Sequence, residues 1–299
     1  MTATDQEIRN LTISLLKMKT ARDKQTRIGA STLSNQCDVC LAHEFLGEST
    51  FSAIADRAWM GRVLGTAFHS ILEQCVEEAK RQGIETLIGL HPEAQAERHV
   101  IFCDIPGYGP VGGTIDLDLV SQVIDWKGST RKKIALLRDY LLSTEGKPAQ
   151  FGRKHKAIAE EGKTMISEAE YAKEMVAMAY KVNGYFGQAQ LYMRGAGRPR
   201  ASLVFIARNG TAVFDNPAGA RYEDETAVHD IFVLSFDYDA AYADALVNRG
   251  TLIWQHLERG GKPSDFTPHV QCLNCEKAAE ETLRLAQNID IEATFPAAA

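Results

Sequence analysis

Apolar residues recur along the chain with two periods, and the switches between them outline the fold. In "RVLGTAFHSILEQCVEEAK", residues 62–80, Val63, Leu64, Ala67, Phe68, Ile71, Leu72, Cys75, Val76 and Ala79 form a stripe two residues wide, the spacing of an amphipathic helix. "ERHVIFCDI" then reads as a strand, "YGPVGG" as a turn, and "TIDLDLVSQVIDWKGS" as two strands meeting at Ser121-Gln122 in a hairpin. From Thr130 to about Met165 the chain is polar and basic; helical spacing returns over 167–194, with a break expected at Asn183-Gly184. "SLVFIAR", "TAVF" and "HDIFVLSFDY" predict further strands, and a long helix follows from Asp239 to Arg259. Weaker helical spacing marks residues 5–19 and a short stretch of the tail. Nothing repeats and no low-complexity linker divides the chain. A single domain with a mixed sheet flanked by helices is predicted.

The composition narrows the classes of function. At 45% hydrophobic and 24% charged over 299 residues, the chain has ample material for a core. A net charge of -6 argues against wholesale electrostatic capture of nucleic acid but leaves room for a local basic groove. The N-terminal stretch lacks the basic start of a secretory signal, and no apolar run approaches bilayer length. A cytoplasmic protein without a membrane segment is expected. In a reducing compartment, cysteines are metal ligands or core residues more readily than disulfides.

Spacing separates those two uses. Cys37 and Cys40 form one CxxC pair, and Cys272 and Cys275 form another near the far end. Each pair can supply two thiolates to one metal, and two pairs complete a four-sulfur site that would staple the ends of the chain together. The competing reading is that one pair is redox-active or simply buried. Cys75, on the apolar stripe, and Cys103, in a strand, are expected in the core.

A second constellation surrounds "VIDWKGST". Strand alternation puts Asp125 and Lys127 on one face and Ile124 and Trp126 on the other. Asp-x-Lys arises by chance about once in a chain of this length, so its neighbours must decide its meaning. If the predicted hairpin forms, Asp116 converges on Asp125, and His69 on the 62–80 helix can join them. Taken singly, His69 reads as a partly buried histidine and the Asp116/Asp118 pair as a solvated strand edge. Together, two carboxylates and an imidazole suit Mg2+ or Mn2+, with Lys127 placed to steady the attacking water or charge building on a phosphate. Downstream, "YFGQAQLYMRG" sets Gln188 and Tyr192 four apart, on one helical face.

The order "STLSNQCDVC", "GTAFHSILE", "GTIDLD", "IDWKG", "QAQLY" and a cysteine-bearing C-terminus resembles the RecB-like nucleases of the PD-(D/E)XK superfamily. Within that superfamily it is most similar to CRISPR-associated and phage-type exonucleases with a cysteine-bound cluster. The resemblance spans Ser31 to Cys275. It implies one domain over 1–299, with a nuclease core at 62–236 carrying a basic insertion at 130–165 and cysteine-bearing segments at 31–60 and 260–285. It implies divalent-metal-dependent cleavage of DNA, acting on single-stranded ends in recombination, repair or phage DNA metabolism. His69, Asp116 and Asp125 would hold the metal with the backbone carbonyl of Trp126. Lys127 would be the catalytic lysine, and Gln188 and Tyr192 would support the site and contact DNA.

The cysteine split departs from the family, which typically places one cysteine before the core and three after it; here the division is two and two. The resemblance favours a [4Fe-4S] cluster, and the paired CxxC spacing favours Zn2+. The insertion holds Arg131, Lys132, Lys133, Arg138, Lys147, Arg153, Lys154 and Lys156, which with Arg194, Arg198 and Arg200 could line a DNA groove or form a solvated basic face. No Walker A loop is present, so unwinding would fall to a helicase or recombination partner. Two other readings stand beside the exonuclease: a DNA-binding or CRISPR-adaptation accessory protein with weak or no nuclease activity, and a restriction-type endonuclease.

Overall fold

The computed structural model describes residues 28–48, 59–130, 134, 137, 168–207, 231–270, 272 and 275, with the side chains of 59–63 and 168–179 outside that description. The helical spacing at 5–19, the strand "TAVF", most of the basic insertion and the C-terminal helix lie outside the described residues. Two short helices, α1 (Ala30–Leu33) and α2 (Asp38–Phe45), precede the long α3 (Trp59–Gln82). Strands β1 (Gln95–Ile105), β2 (Gly109–Asp118) and β3 (Val123–Ser129) follow. Then come α4 (Glu168–Ala196), β4 (Arg200–Ala207), β5 (Ile231–Asp237) and α5 (Ala240–Glu258). None of the described helices is long and apolar enough to cross a membrane.

The strands form one mixed sheet in the order β1-β2-β3-β4-β5, antiparallel throughout except for the β3/β4 pair. A parallel neighbour cannot be reached by a tight turn, and α4 lies within the crossover that joins these two strands. Burial follows the strand period. Ala201, Leu203 and Phe205 of β4 join the larger core, which includes Leu191 and Met193 of α4 and Leu246 and Ile253 of α5. Val204 and Ile206 point the other way and pack with Phe68, Leu72 and Val76 of α3. The sheet is thus covered on both faces, the arrangement predicted from the alternating periods.

Three local expectations change. The apolar stripe of α3 is narrower than its sequence suggests: Val76 and Ala79 are buried, whereas Leu64 is 47% and Ile71 57% exposed, and Cys75 is exposed rather than in the core. A helix lying on a sheet needs only one seam of positions three and four apart to seal the contact, and Leu64, Ile71 and Cys75 fall off that seam. The expected break at Asn183-Gly184 is absent, and α4 runs through it. A helical glycine costs about 1 kcal/mol. Burial of Val182, Ala189, Leu191 and Met193 outweighs that cost, since each large apolar side chain contributes about 1.5–3 kcal/mol. The glycine-rich "YGPVGG" is strand from Gly109 onward, and the turn shrinks to residues 106–108. These glycines serve close approach: a Cβ at Gly112 would stand 2.6 Å from the Val100 carbonyl oxygen, and one at Gly113 would stand 2.9 Å from the Tyr192 ring.

Candidate active site and cysteine centre

The β2–β3 hairpin creates the site by separating early. The strands pair only at Leu117↔Ile124 and Asp118↔Val123. One step further on, Asp116 fills the gap: its Oδ2 accepts the Trp126 backbone N–H at 2.6 Å, and its Oδ1 lies 3.2 Å from His69 Nδ1 on α3. Asp125 and Lys127 share a face, as alternation requires. Lys127 Nζ donates to Asp125 Oδ1 at 2.9 Å and to Gln188 Oε1 at 3.2 Å. Gln188 Nε2 in turn donates to the Tyr192 hydroxyl at 3.0 Å. Lys127 Nζ also sits 4.7 Å from the centre of the Tyr185 ring, a cation–π contact. The Trp126 side chain is buried on the opposite face with Leu117 and Val76. His69, Asp116, Asp125, Lys127, Gln188 and Tyr192 all line one open cavity of about 1170 Å³.

Electrostatics in this cavity are set by burial and by crowded carboxylates. Burial, aided by the charge of Asp116, pushes Asp125 up to about 6 despite the ammonium of Lys127 beside it. Burial works against the charged form of Lys127, but Asp125, Tyr185 and Asp116 more than restore it, and its pKa is raised. The hydrogen bond to Asp116 raises His69 against the opposing effect of burial. Tyr192 is pushed up to about 12 by burial and by Asp125, so its hydroxyl stays neutral. Lys127 Nζ is 2.8 Å from Asp125 Oδ2 as well, so its ammonium faces both oxygens of the buried carboxylate. Carboxylate oxygens and an imidazole nitrogen facing one cavity fit a hard divalent cation.

Register contributes a residue that local reading misses. The carboxylate of Glu97 on β1 lies within 4.8 Å of the ligating atoms of His69 and Asp116. No short motif marks it; it stands 19 positions before Asp116, and only the β1–β2 pairing brings the two together. Tyr185 was visible in principle, three residues before Gln188 on the same helical face.

Asp118, two residues past Asp116, has a separate and structural role. It accepts the Val120 N–H at 2.9 Å, two bonds from Arg198 at 2.8 and 3.0 Å, and one from Arg98. Burial would raise its pKa, but Arg198, the Val120 N–H and Arg98 together hold it below the ordinary value. A carboxyl depressed on folding adds stability that is present above its unfolded pKa of about 3.9 and lost as pH falls through the lower folded value. Asp118→Asn is therefore expected to cost about 1–3 kcal/mol near neutrality, the range for charged hydrogen bonds whose arginines are partly solvated. Urea titrations of native and variant protein should converge as pH falls below about 4. A gap that persisted unchanged into acid would show that the charge is not the source.

The arginines assigned to a groove are engaged within the protein. Arg194 pairs with Asp244 and donates to the Phe102 carbonyl at 2.9 Å; Arg198 holds Asp118; Arg200 lies 3.4 Å from Asp237. The basic residues named in the insertion lie outside the described residues.

The four cysteines of the two CxxC pairs meet. Cys37 caps α2, Cys40 lies within it, and Cys272 and Cys275 close over them with all four sulfurs within 4.8 Å of one another. The Sγ separations are 3.5 Å for Cys37–Cys275, 3.4 Å for Cys40–Cys272 and 3.7 Å for Cys40–Cys275. Crowding splits their acidities: the neighbouring Cys40 draws Cys37 down to about 4, whereas burial and Cys37 push Cys275 up to about 12. Four sulfurs this close, three of them on buried cysteines, match the donor set that a thiophilic metal takes. The centre is tied to α4, because Tyr180 donates to Asn35 Oδ1 at 2.9 Å while Gln36 Nε2 donates to the Tyr180 carbonyl at 2.7 Å. Cys103 is partly buried, as expected, and burial pushes its thiol up to about 11.

No protein-family model matches the chain, and no curated protein matches it. Among solved structures it is similar to LHK-Exo in complex with dAMP, at 13% identity and a TM-score of 0.36 over 79% of this chain and 90% of that one. It is similar to SSO0001 at 15% identity and a TM-score of 0.40, over 82% of this chain and 87% of that one. An alkaline exonuclease, LHK-Exo from Laribacter hongkongensis, is similar at 12% identity and a TM-score of 0.35, over 81% of this chain and 93% of that one. At TM-scores below 0.5 these likenesses decide nothing about the chemistry, which rests on the residues themselves.

Proposed function

We propose that the protein is a divalent-cation-dependent deoxyribonuclease of the PD-(D/E)XK type that shortens DNA from its ends. The observation that carries this reading is the convergence of His69, Asp116, Asp125 and Lys127 in one open cavity, with Lys127 held between Asp125 and Gln188. His69, Asp116, Asp125 and the Trp126 carbonyl would hold Mg2+ or Mn2+. A cation held there would supply an activated water and offset charge on the phosphate. The chain's own residues supply position. Asp116 spans the gap between β2 and β3 and fixes both its oxygens. Lys127, kept charged and aimed by Asp125 and Gln188, meets negative charge that builds on a phosphate oxygen. Tyr192 and Gln188 form a rigid wall that keeps Lys127 from swinging away.

For the cysteine centre the separations favour a single tetrahedral ion, Zn2+. Metal–sulfur bonds of about 2.3 Å place tetrahedral ligands about 3.8 Å apart, close to the 3.4–3.7 Å observed. In a [4Fe-4S] cluster each thiolate binds a separate iron, so two metal–sulfur bonds and an iron–iron span divide every pair of sulfurs, which therefore stand farther apart.

End-labelled single-stranded and duplex DNA incubated with Mg2+ or Mn2+ tests the activity. Stepwise shortening, with sealed circles left intact, is expected. Cleavage of circles would indicate the endonuclease reading, and binding without cleavage the accessory-protein reading.

A further inference from the structure

We infer that Glu97 is a ligand of the active-site cation, completing with His69 and Asp116 a three-sided cradle for a hard divalent ion, Mn2+ in preference to Mg2+. This rests on the nuclease reading and adds a residue to it.

The register supplies the first reason. On β1 and β2, Ala96 pairs with Leu117 and Arg98 with Ile115, so the intervening position sets Glu97 opposite Asp116. On β2 and β3, Leu117 pairs with Ile124, and the next step sets Asp116 opposite Asp125. Three carboxylates thus stand in a row across three adjacent strands, and all three line the same cavity. Several carboxylates facing one cavity suit a hard divalent ion.

Geometry supplies the second. The ligating atoms of His69, Glu97 and Asp116 lie within 4.8 Å of one another. Ligands of one octahedral ion with bonds of about 2.1 Å stand about 3.0 to 4.2 Å apart. A contraction of up to about 1.8 Å closes the cradle, and Glu97, exposed at its rim, can make it. Asp125, buried and lining the same cavity, stands beside this cradle with its carboxylate against Lys127. Glu97 also holds φ at 50°, one of two non-glycine residues with positive φ among those described, at the point where the β1–β2 ladder skips a pair. Imidazole is a better ligand for Mn2+ than for Mg2+, which sets the preference.

The test is Mn2+ binding to the protein with its cysteine centre loaded, followed through the free-Mn2+ electron paramagnetic resonance signal, for native protein, Glu97→Gln, Glu97→Asp and Asp116→Asn. Glu97→Gln should weaken Mn2+ binding at least about 10-fold, the smallest loss that follows from removing even an outer-shell partner. Glu97→Asp should fall between Gln and native, and metal-free Glu97→Gln should keep the native circular-dichroism spectrum. Native affinity in Glu97→Gln, with binding lost in Asp116→Asn, would overturn the inference and leave the nuclease reading standing. No Mn2+ binding by the native protein would overturn both.

Discussion

Asp125→Asn and Lys127→Gln are each expected to slow metal-dependent shortening of end-labelled DNA by about 10³-fold or more, while the protein still folds and binds DNA. Asparagine and glutamine keep the size and some of the hydrogen bonding but remove the charge. Alanine at either position would take away the hydrogen-bonding group as well as the charge from a buried partner, because the Asp125 side chain is 3% and the Lys127 side chain 16% exposed. Breaking such a pair costs about 3–5 kcal/mol, so an inactive alanine variant could simply be an unfolded one. The two conservative substitutions separate the roles. Asp125→Asn removes a cation ligand and should weaken Mn2+ binding together with the rate. Lys127→Gln should lower the rate and leave Mn2+ binding near the native value, since lysine repels rather than binds the ion. Full cleavage by Lys127→Gln would show that the lysine only balances Asp125 and has no part in the chemistry.

The second large effect concerns the cysteine centre. Metal analysis of freshly purified, anaerobically handled protein should return about one zinc per chain without acid-labile sulfide. Four irons with matching sulfide would establish the cluster instead. Cys272→Ser should lower the melting temperature by at least about 10 °C, because structural zinc binding contributes about 10–16 kcal/mol in small domains and each kcal/mol shifts a chain of this size by about 2–4 °C. The loss has a definite path to the active site. Cys272 closes the ring of sulfurs around α2, and Asn35 and Gln36, just before α2, grip Tyr180 on α4. Gln188 and Tyr192 lie two and three turns further along that helix. Calorimetry should therefore show the melting loss, and cleavage at a temperature where Cys272→Ser stays folded should still fall several-fold. A variant that melts at the native temperature would mean that the two ends of the chain are held without the metal.

Much of the site could be read directly because its parts are local. Asp125 and Lys127 share a face by strand alternation, Gln188 and Tyr192 share one by helical spacing, and the short link at Ser121-Gln122 brings Asp116 beside Asp125. Each inference spans fewer than about twelve residues, within which covalent geometry alone sets direction. The CxxC spacing likewise showed that each pair could grip one ion, and the four-sulfur site follows once the ends meet.

The remainder depended on contacts between distant segments. Glu97 joins the site only through the β1–β2 register, and Asp118 is taken out of it by Arg98 and Arg198 from two other elements. Gly184 reads as a helix breaker until the burial of its neighbours is counted, and Cys75 reads as core until α3 is seen to seal against the sheet along a single seam. The separations between sulfurs have no local signature. Periodicity along the sequence determined which faces the side chains take, because backbone geometry repeats every two or 3.6 residues. Tertiary structure decided which of those faces meet and at what distance, because the free energy of burial and charge pairing depends on neighbours brought together only by folding.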